Sequence, residues 1–271
     1  MSVGRPGGHL LTEAERRSFV ERGFTAVERP VVPAALVAEV RTLIADLLER
    51  RASLPADSVH DLADGRVEGA MIPEVINARL LEPRLLGSSA YAICEQLAMD
   101  ALGGKVTLDF DHVIGKPPHN AAATAWHQDL AFNPLADWPT ATVWLALTDA
   151  TEDNGCMRYI PTNGSRRLLS HEPFGRDGLR TLELSEDQAV VCPVPAGGVT
   201  LHNQRTLHGS GPNTTDGPRL AWILKFVAGG RSTQFLRAQR KRVQESWGAR
   251  RGHPIEAPRR AGGADADPYR G

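Results

Sequence analysis

With 271 residues, 41% of them hydrophobic, and a formal net charge of −1, the chain can bury the core of one large domain and shows no basic excess of the kind that marks a nucleic-acid binder. No apolar run approaches the roughly 18 residues that span a bilayer, and residues 1–9 lack the apolar centre of a secretory signal, so no membrane partner is expected. Three cysteines, Cys94, Cys156 and Cys192, are odd in number and far apart; they offer no disulfide framework, which makes a reducing cytoplasm the expected compartment.

Residues 1–10, rich in Gly and Pro, read as a flexible leader. Thr12-Glu13-Ala14-Glu15 has the spacing of a capping box, which predicts a helix with Phe19 and Val20 toward a core. Residues 23–27 read as a short strand. Pro33 stands where helices begin, and Leu36, Val40, Leu43, Ile44 and Leu47 keep helical period to Arg50. Residues 51–70 are polar and irregular. Helical spacing returns through Leu86, Ala90, Ile93 and Leu97, predicting one helix over 83–103 that ends at Gly103-Gly104.

From Val106 the pattern shortens to β-rich runs. Leu108, Phe110, His112, Ile114 and Lys116 alternate with Asp109, Asp111, Val113 and Gly115, as in a half-buried strand. Residues 117–124 form a loop, and 142–149 a strand with Thr142, Trp144, Ala146 and Thr148 on one face. Asn154-Gly155 signals a hairpin into 156–160. Residues 168–187, with Gly175 and Gly178, read as an excursion or lid. Strands resume at 189–192, 199–202 and 219–227. Short antiparallel strands after a helical flank predict a mainly β fold with flanking helices, a jelly-roll barrel. The single domain expected over 11–248 divides into a helical flank at 11–104, the jelly-roll at 105–230 and a basic C-terminal helix at 231–248; 249–271 read as a mobile tail.

The chemistry concentrates in Trp126-His127-Gln128-Asp129 and in Leu207-His208-Gly209-Ser210-Gly211-Pro212-Asn213. On an extended strand His127 and Asp129 project from the same face. His208 would complete two histidines and one carboxylate, a facial set with open positions that suits non-haem ferrous iron. His202, six residues before His208, competes for the third place. Arg219, just past a turn, has a fork that grips a carboxylate with two parallel hydrogen bonds. A His-x-Asp pair alone is weak evidence in a chain with 9 histidines.

The surrounding pieces resemble the phytanoyl-CoA dioxygenase family of iron(II)/2-oxoglutarate oxygenases. They are Gly115-Lys116-Pro117-Pro118, His127-Gln128-Asp129 with Pro134, Val143-Trp144-Leu145-Ala146-Leu147-Thr148-Asp149-Ala150, Asn154-Gly155-Cys156-Met157, and His208-Gly209-Ser210-Gly211-Pro212-Asn213-Thr214 with Arg219, in the family's order. The resemblance implies a double-stranded β-helix (jelly-roll, cupin-like) with helices on its major sheet. It implies Fe(II) on His127, Asp129 and His208, with 2-oxoglutarate and O2 as cosubstrates. It favours His208 over His202, because the Gly-Ser-Gly-Pro-Asn run follows the former. It also implies Arg219 and Ser210 at the cosubstrate carboxylate, with Gln128, Trp144 and His112 around it; Lys116 matches the family's Lys-Pro-Pro run but reads equally as a solvated strand-end lysine.

The implied reaction oxidises a C–H bond of a small molecule, hydroxylation being the default and desaturation, cyclisation or epimerisation the alternatives. Asp129 disfavours halogenation, since iron halogenases of this kind lack the carboxylate. Met71, Ile72, Phe110, Phe132, Asn203 and Arg205 are candidate substrate walls by their proximity to these motifs. Relatives often read Pro-Gly-Ser-His where this chain has Pro161-Thr162-Asn163-Gly164-Ser165-Arg166, a change at the rim. The alternative of another class, a jelly-roll binding protein without turnover, would be expected to have lost a ligand or the arginine; all four are present.

Overall fold

The helical flank begins with a cap written into four residues. In the computed structural model, which describes residues 8–229 apart from 64–66, 69, 134–136, 166, 175–177 and 182, Thr12 Oγ1 accepts from the Glu15 N–H at 3.2 Å while Glu15 Oε2 accepts from the Thr12 N–H at 2.7 Å. That reciprocal cap starts α1 (Glu13–Arg22), which ends at Gly23 with φ 85°, a left-handed position that a glycine adopts without steric cost. β1 (Phe24–Val27) follows, then α2 (Ala34–Glu49), which buries Val37, Val40, Ile44 and Leu47. The irregular stretch after it contains β2 (Val59–Asp61), and β3 (Pro73–Ile76) comes next. The helix expected at 231–248, the tail, residues 1–7 of the leader, Pro134, Arg166 and Gly175 lie outside the described residues.

After a short α3 (Ala78–Leu81), the single helix expected over 83–103 is instead two: α4 (Arg84–Gly87) and α5 (Ser89–Leu102). Ser88 takes an extended backbone (ψ 147°) and its side chain accepts from the Tyr91 N–H. A serine satisfies a free helix-start amide well, and here that preference breaks the apolar periodicity.

Ten more strands follow among the described residues: β4 (Val106–Lys116), β5 (Thr124–His127), β6 (Thr140–Ala146), β7 (Met157–Ile160), β8 (Glu172–Phe174), β9 (Gly178–Arg180), β10 (Val190–Cys192), β11 (Val199–His202), β12 (Leu207–Ser210) and β13 (Arg219–Ala228). They form a seven-stranded sheet in the order β1-β11-β6-β13-β4-β3-β2, a four-stranded sheet in the order β10-β7-β12-β5, and the β8-β9 pair. All the pairings are antiparallel. Alternation on β6 divides the interior: Val143 and Leu145 pack with Val40, Ile44 and Leu97 of the helices, while Trp144 and Ala146 face the other sheet with Tyr159 and Ile223. This is the jelly-roll sandwich with helices on its larger sheet.

Two local readings change. The Asn154-Gly155 turn joins no hairpin, because β6 pairs with β11 and β13 whereas β7 pairs with β10 and β12. It carries the chain from one sheet to the other, with Gly155 at φ 79° and so close to Gly211 that a Cβ would lie 2.4 Å from that carbonyl oxygen. On β4 the strict alternation fails at Asp109, where a bulge leaves Phe110 opposite Lys225 and Leu108 opposite Phe226. Leu108 therefore joins Val113 in the helix-facing core, and Ile114 the inter-sheet core.

Cys94, Cys156 and Cys192 are buried and free; burial pushes the thiols of Cys94 and Cys192 up to about 12. Among the described residues no helix is long and apolar enough to cross a membrane.

Candidate metal centre

β5 and β12 are neighbours, and their pairing sets His127 directly opposite His208, ring centroids 4.2 Å apart. Gln128 is extended (φ −113°, ψ 130°), so the strand's alternation carries one residue further and returns Asp129 to the side of His127. Asp129 Oδ1 lies 3.8 Å from His127 Nε2 and 3.5 Å from His208 Nε2. One donor atom from each residue falls within 4.8 Å of the others.

The tautomers are set by backbone carbonyls, which only accept. His127 Nδ1–H donates to Ala125 O at 2.8 Å and His208 Nδ1–H to Thr206 O at 2.9 Å, so both Nε2 lone pairs face the carboxylate. Burial, reinforced by His208, pushes His127 down to about 4; burial, reinforced by His202, does the same to His208. Burial disfavours the charged carboxylate of Asp129, but His202, His208 and Lys225 outweigh it and hold its pKa well below the usual range. Two neutral imidazoles and one anion are the protonation state in which a divalent metal is ligated. Such a donor set, all on one side, fits ferrous iron with positions left for a bidentate cosubstrate.

His202 stands outside that cluster. Its Nε2 lies 3.6 Å from the other oxygen of Asp129, buried and without a hydrogen-bond partner. Its Nδ1 is 3.3 Å from the Tyr159 hydroxyl. Thr142 Oγ1 donates to that same Asp129 oxygen at 3.3 Å.

On the larger sheet, Arg219 opens β13, is 1% exposed, and holds its guanidinium 5.2 Å over the Trp144 ring. Its Nε is buried without a partner. Lys116 is its register partner on β4. Far from being solvated at a strand end, Lys116 is fully buried; its Nζ donates to Ser210 Oγ at 3.0 Å and to the Gly211 carbonyl. Ser210 in turn donates to Thr124 Oγ1 at 3.1 Å. Burial and then Arg219 push Lys116 down to about 6, and burial brings Arg219 to about 10. Neither basic group has a carboxylate partner among the described residues, and a buried guanidinium is costly unless an anion completes the arrangement.

Of the other candidates, His112 is hydrogen-bonded through Nδ1 to Glu74 of β3, an acid the sequence reading did not single out, and lies against Phe110 with centroids 5.2 Å apart. Phe132 meets His127 edge-on at 5.7 Å and is 36% exposed; Met71 is exposed as well, whereas Ile72 is wholly buried in the inter-sheet core.

Three candidates turn elsewhere. Asn203 Oδ1 accepts from the Arg205 N–H at 2.9 Å and from Thr206 Oγ1 at 3.2 Å, closing its own turn. Arg205 is ion-paired with Asp137. The Gln128 side chain points away from His127 and Asp129, as alternation requires. It lines a cavity of about 190 Å³ with Arg167, Leu169, Arg205 and Leu207 and binds the backbone of three of those four. The excursion packs onto the ligand segment, Leu168 and Leu179 against Leu130 and Ala131.

The sequence profile of the phytanoyl-CoA dioxygenase family matches residues 19–221. The solved structure of EvdO2 from Micromonospora carbonacea var. aurantiaca, complexed with 2-oxoglutarate, is 32% identical with a TM-score of 0.69, covering 83% of this chain and 96% of that one. The non-heme alpha-ketoglutarate-dependent carbocyclase SnoK from nogalamycin biosynthesis, 24% identical with a TM-score of 0.64 over 82% of this chain and 87% of that one, shares the fold. A probable alpha-ketoglutarate-dependent hypophosphite dioxygenase of Stutzerimonas stutzeri is 34% identical over 137 residues, 47% of each chain. The chain thus spans about half the length of that relative.

Proposed function

The chain belongs to the phytanoyl-CoA dioxygenase family, and from that premise we propose that it is an iron(II)- and 2-oxoglutarate-dependent oxygenase that hydroxylates a carbon of a small organic molecule, with release of succinate and CO2. The observation that carries this reading is the convergence of His127, Asp129 and His208 donors within 4.8 Å. In support stand two buried basic side chains, Lys116 and Arg219, which lack an acidic partner among the described residues.

In this reading His127 Nε2, Asp129 Oδ1 and His208 Nε2 hold the metal, each aimed by the carbonyl or alternation that fixes it. Arg219, Lys116 and Ser210 take the far carboxylate of 2-oxoglutarate, and Trp144 closes the wall beneath the guanidinium. Phe132 and Phe110 exclude water at the open side. When bound, iron couples the oxidative decarboxylation of 2-oxoglutarate to dioxygen activation; the protein's part is orientation and a dry, charged setting. As parts of the same proposal, the Arg/Ala/Gly-rich composition supports a place in bacterial specialised metabolism, and three free cysteines support a reducing cytoplasm.

The test is succinate formation by the purified full chain with ferrous iron, 2-oxoglutarate and oxygen, followed by a mass-spectrometric screen for products about 16 Da heavier (one oxygen atom). Succinate that requires all three components supports the oxygenase, and a product about 2 Da lighter would replace hydroxylation by desaturation. Absence of metal-dependent succinate across the screen would discard the reading.

A further inference from the structure

The residue between the first two ligands carries an arrangement that metal ligation does not explain. Gln128, the residue after the end of β5, is 3% exposed; its side chain turns away from His127 and Asp129, and its amide is engaged at both ends. Its Nε2 donates to Arg167 O at 3.0 Å and to Arg205 O at 2.6 Å, and its Oε1 accepts from the Leu169 N–H at 2.9 Å. Its own backbone N–H donates to His171 Nε2 at 3.0 Å, a tautomer fixed because His171 Nδ1–H donates to Leu169 O at 2.9 Å.

Residues 167–170 have no strand or helix of their own. Their backbone groups must find partners elsewhere, and Gln128 supplies two of them. Arg205 lies in the loop between β11 and β12, one residue before Thr206, whose carbonyl orients His208. A single amide therefore ties the start of the excursion and the approach to the third ligand to the residue separating the first two.

We propose that Gln128 is a positioning residue that couples metal binding to the ordering of the excursion at 167–171. The proposal rests on the oxygenase reading for the identity of the metal site. A metal that binds only the assembled triad stabilises every contact the triad needs, and by linkage a loosened excursion weakens the metal to the same degree.

The test uses the full chain and Co(II) alone as probe, with hydrogen exchange read at the Leu169 amide. In the parent, Co(II) at 100 times its Kd is expected to slow that exchange by up to about 100-fold. Gln128→Leu is expected to weaken Co(II) binding by about tenfold or more and to remove the Co(II)-dependent slowing. Gln128→Glu, which keeps the acceptor for Leu169 and loses both donors, is expected to fall between. A glutamine with only a structural role would change Leu169 exchange equally with and without Co(II). If Gln128→Leu does not fold, the parent measurement still decides. Tight Co(II) binding that leaves Leu169 exchange unchanged, or undiminished Co(II) affinity in Gln128→Leu, overturns the coupling alone; failure of the parent to bind Co(II) overturns the metal site as well.

Discussion

Lys116 and Arg219 stand opposite one another across the β4–β13 ladder, both buried. The lysine, held down to about 6 by burial and then by Arg219, is unprotonated near neutral pH until an anion arrives. Binding of 2-oxoglutarate at about pH 7.5 is therefore expected to take up a proton at Lys116, detectable by calorimetry in two buffers of different ionisation enthalpy. Lys116→Met should abolish the uptake. Arg219→Met should weaken 2-oxoglutarate by about 2 kcal/mol or more, roughly 30-fold, with kcat at saturation less affected. Equal proton uptake in Lys116→Met would refute this pairing.

Metal retention should separate the three neighbouring imidazoles. His127→Ala and His208→Ala are expected to lose Co(II) binding, each removing a donor from the cluster. His202→Ala, which removes a ring that approaches the triad through the second oxygen of Asp129 at 3.6 Å, should retain it within about 10–100-fold of the parent, as for a partner one step removed from a ligand. Titration of the purified variants by Co(II) absorption gives the ranking, and the reverse order would move the third ligand to His202.

Acid should strip the metal late. His127 and His208 are both pushed down to about 4, so protons compete for their Nε2 atoms only near that pH. Bound Co(II), followed against pH, is expected to fall as pH drops through about 4 and not through the ordinary histidine range near 6.5. For the metal-free protein the sign is the same. The unfolded chain binds more protons than the folded one between about 4 and 6.5, so stability falls as pH is lowered across that window, as urea midpoints at several pH values would show.

Gly155 cannot accept a side chain. At φ 79°, with a Cβ due 2.4 Å from Gly211 O and 2.9 Å from Pro212 O, Gly155→Ala is expected to destabilise the protein by about 1–3 kcal/mol, measured by urea unfolding. Because Gly211 O also accepts from Lys116 Nζ, the same variant should weaken 2-oxoglutarate. Gly211→Ala, where a Cβ meets nothing within 4 Å, serves as the control.

What could be read from the chain was what lies within a few residues. The capping box at Thr12, the end of a helix at Gly103 and the alternation that sends His127 and Asp129 one way are local rules, and the metal triad followed from them with the family resemblance. What escaped depends on partners far along the chain. The bulge at Asp109 exists only against β13, the Asn154-Gly155 turn changes meaning because its flanking strands pair with others, and Ser88 caps a helix that periodicity would run through. The same distance explains the site residues. The family resemblance puts Gln128 among the cosubstrate contacts, whereas strand alternation turns its side chain to the opposite side from His127 and Asp129. Lys116 reads from its neighbours as a solvated lysine at a strand end, because nothing local says that β13 and β12 close over it.

The metal donors His127 and His208 belong to the smaller sheet, whereas Arg219, Lys116 and Trp144 line the larger one. A keto acid chelated at one end and gripped at the other would then act as a strut between the two walls, its fixed length setting the gap across the sandwich. Shorter or longer dicarboxylates would force the walls to shift or would lose one of the two grips. The choice of cosubstrate would thus be made by the spacing of two layers of backbone as much as by the groups that touch it.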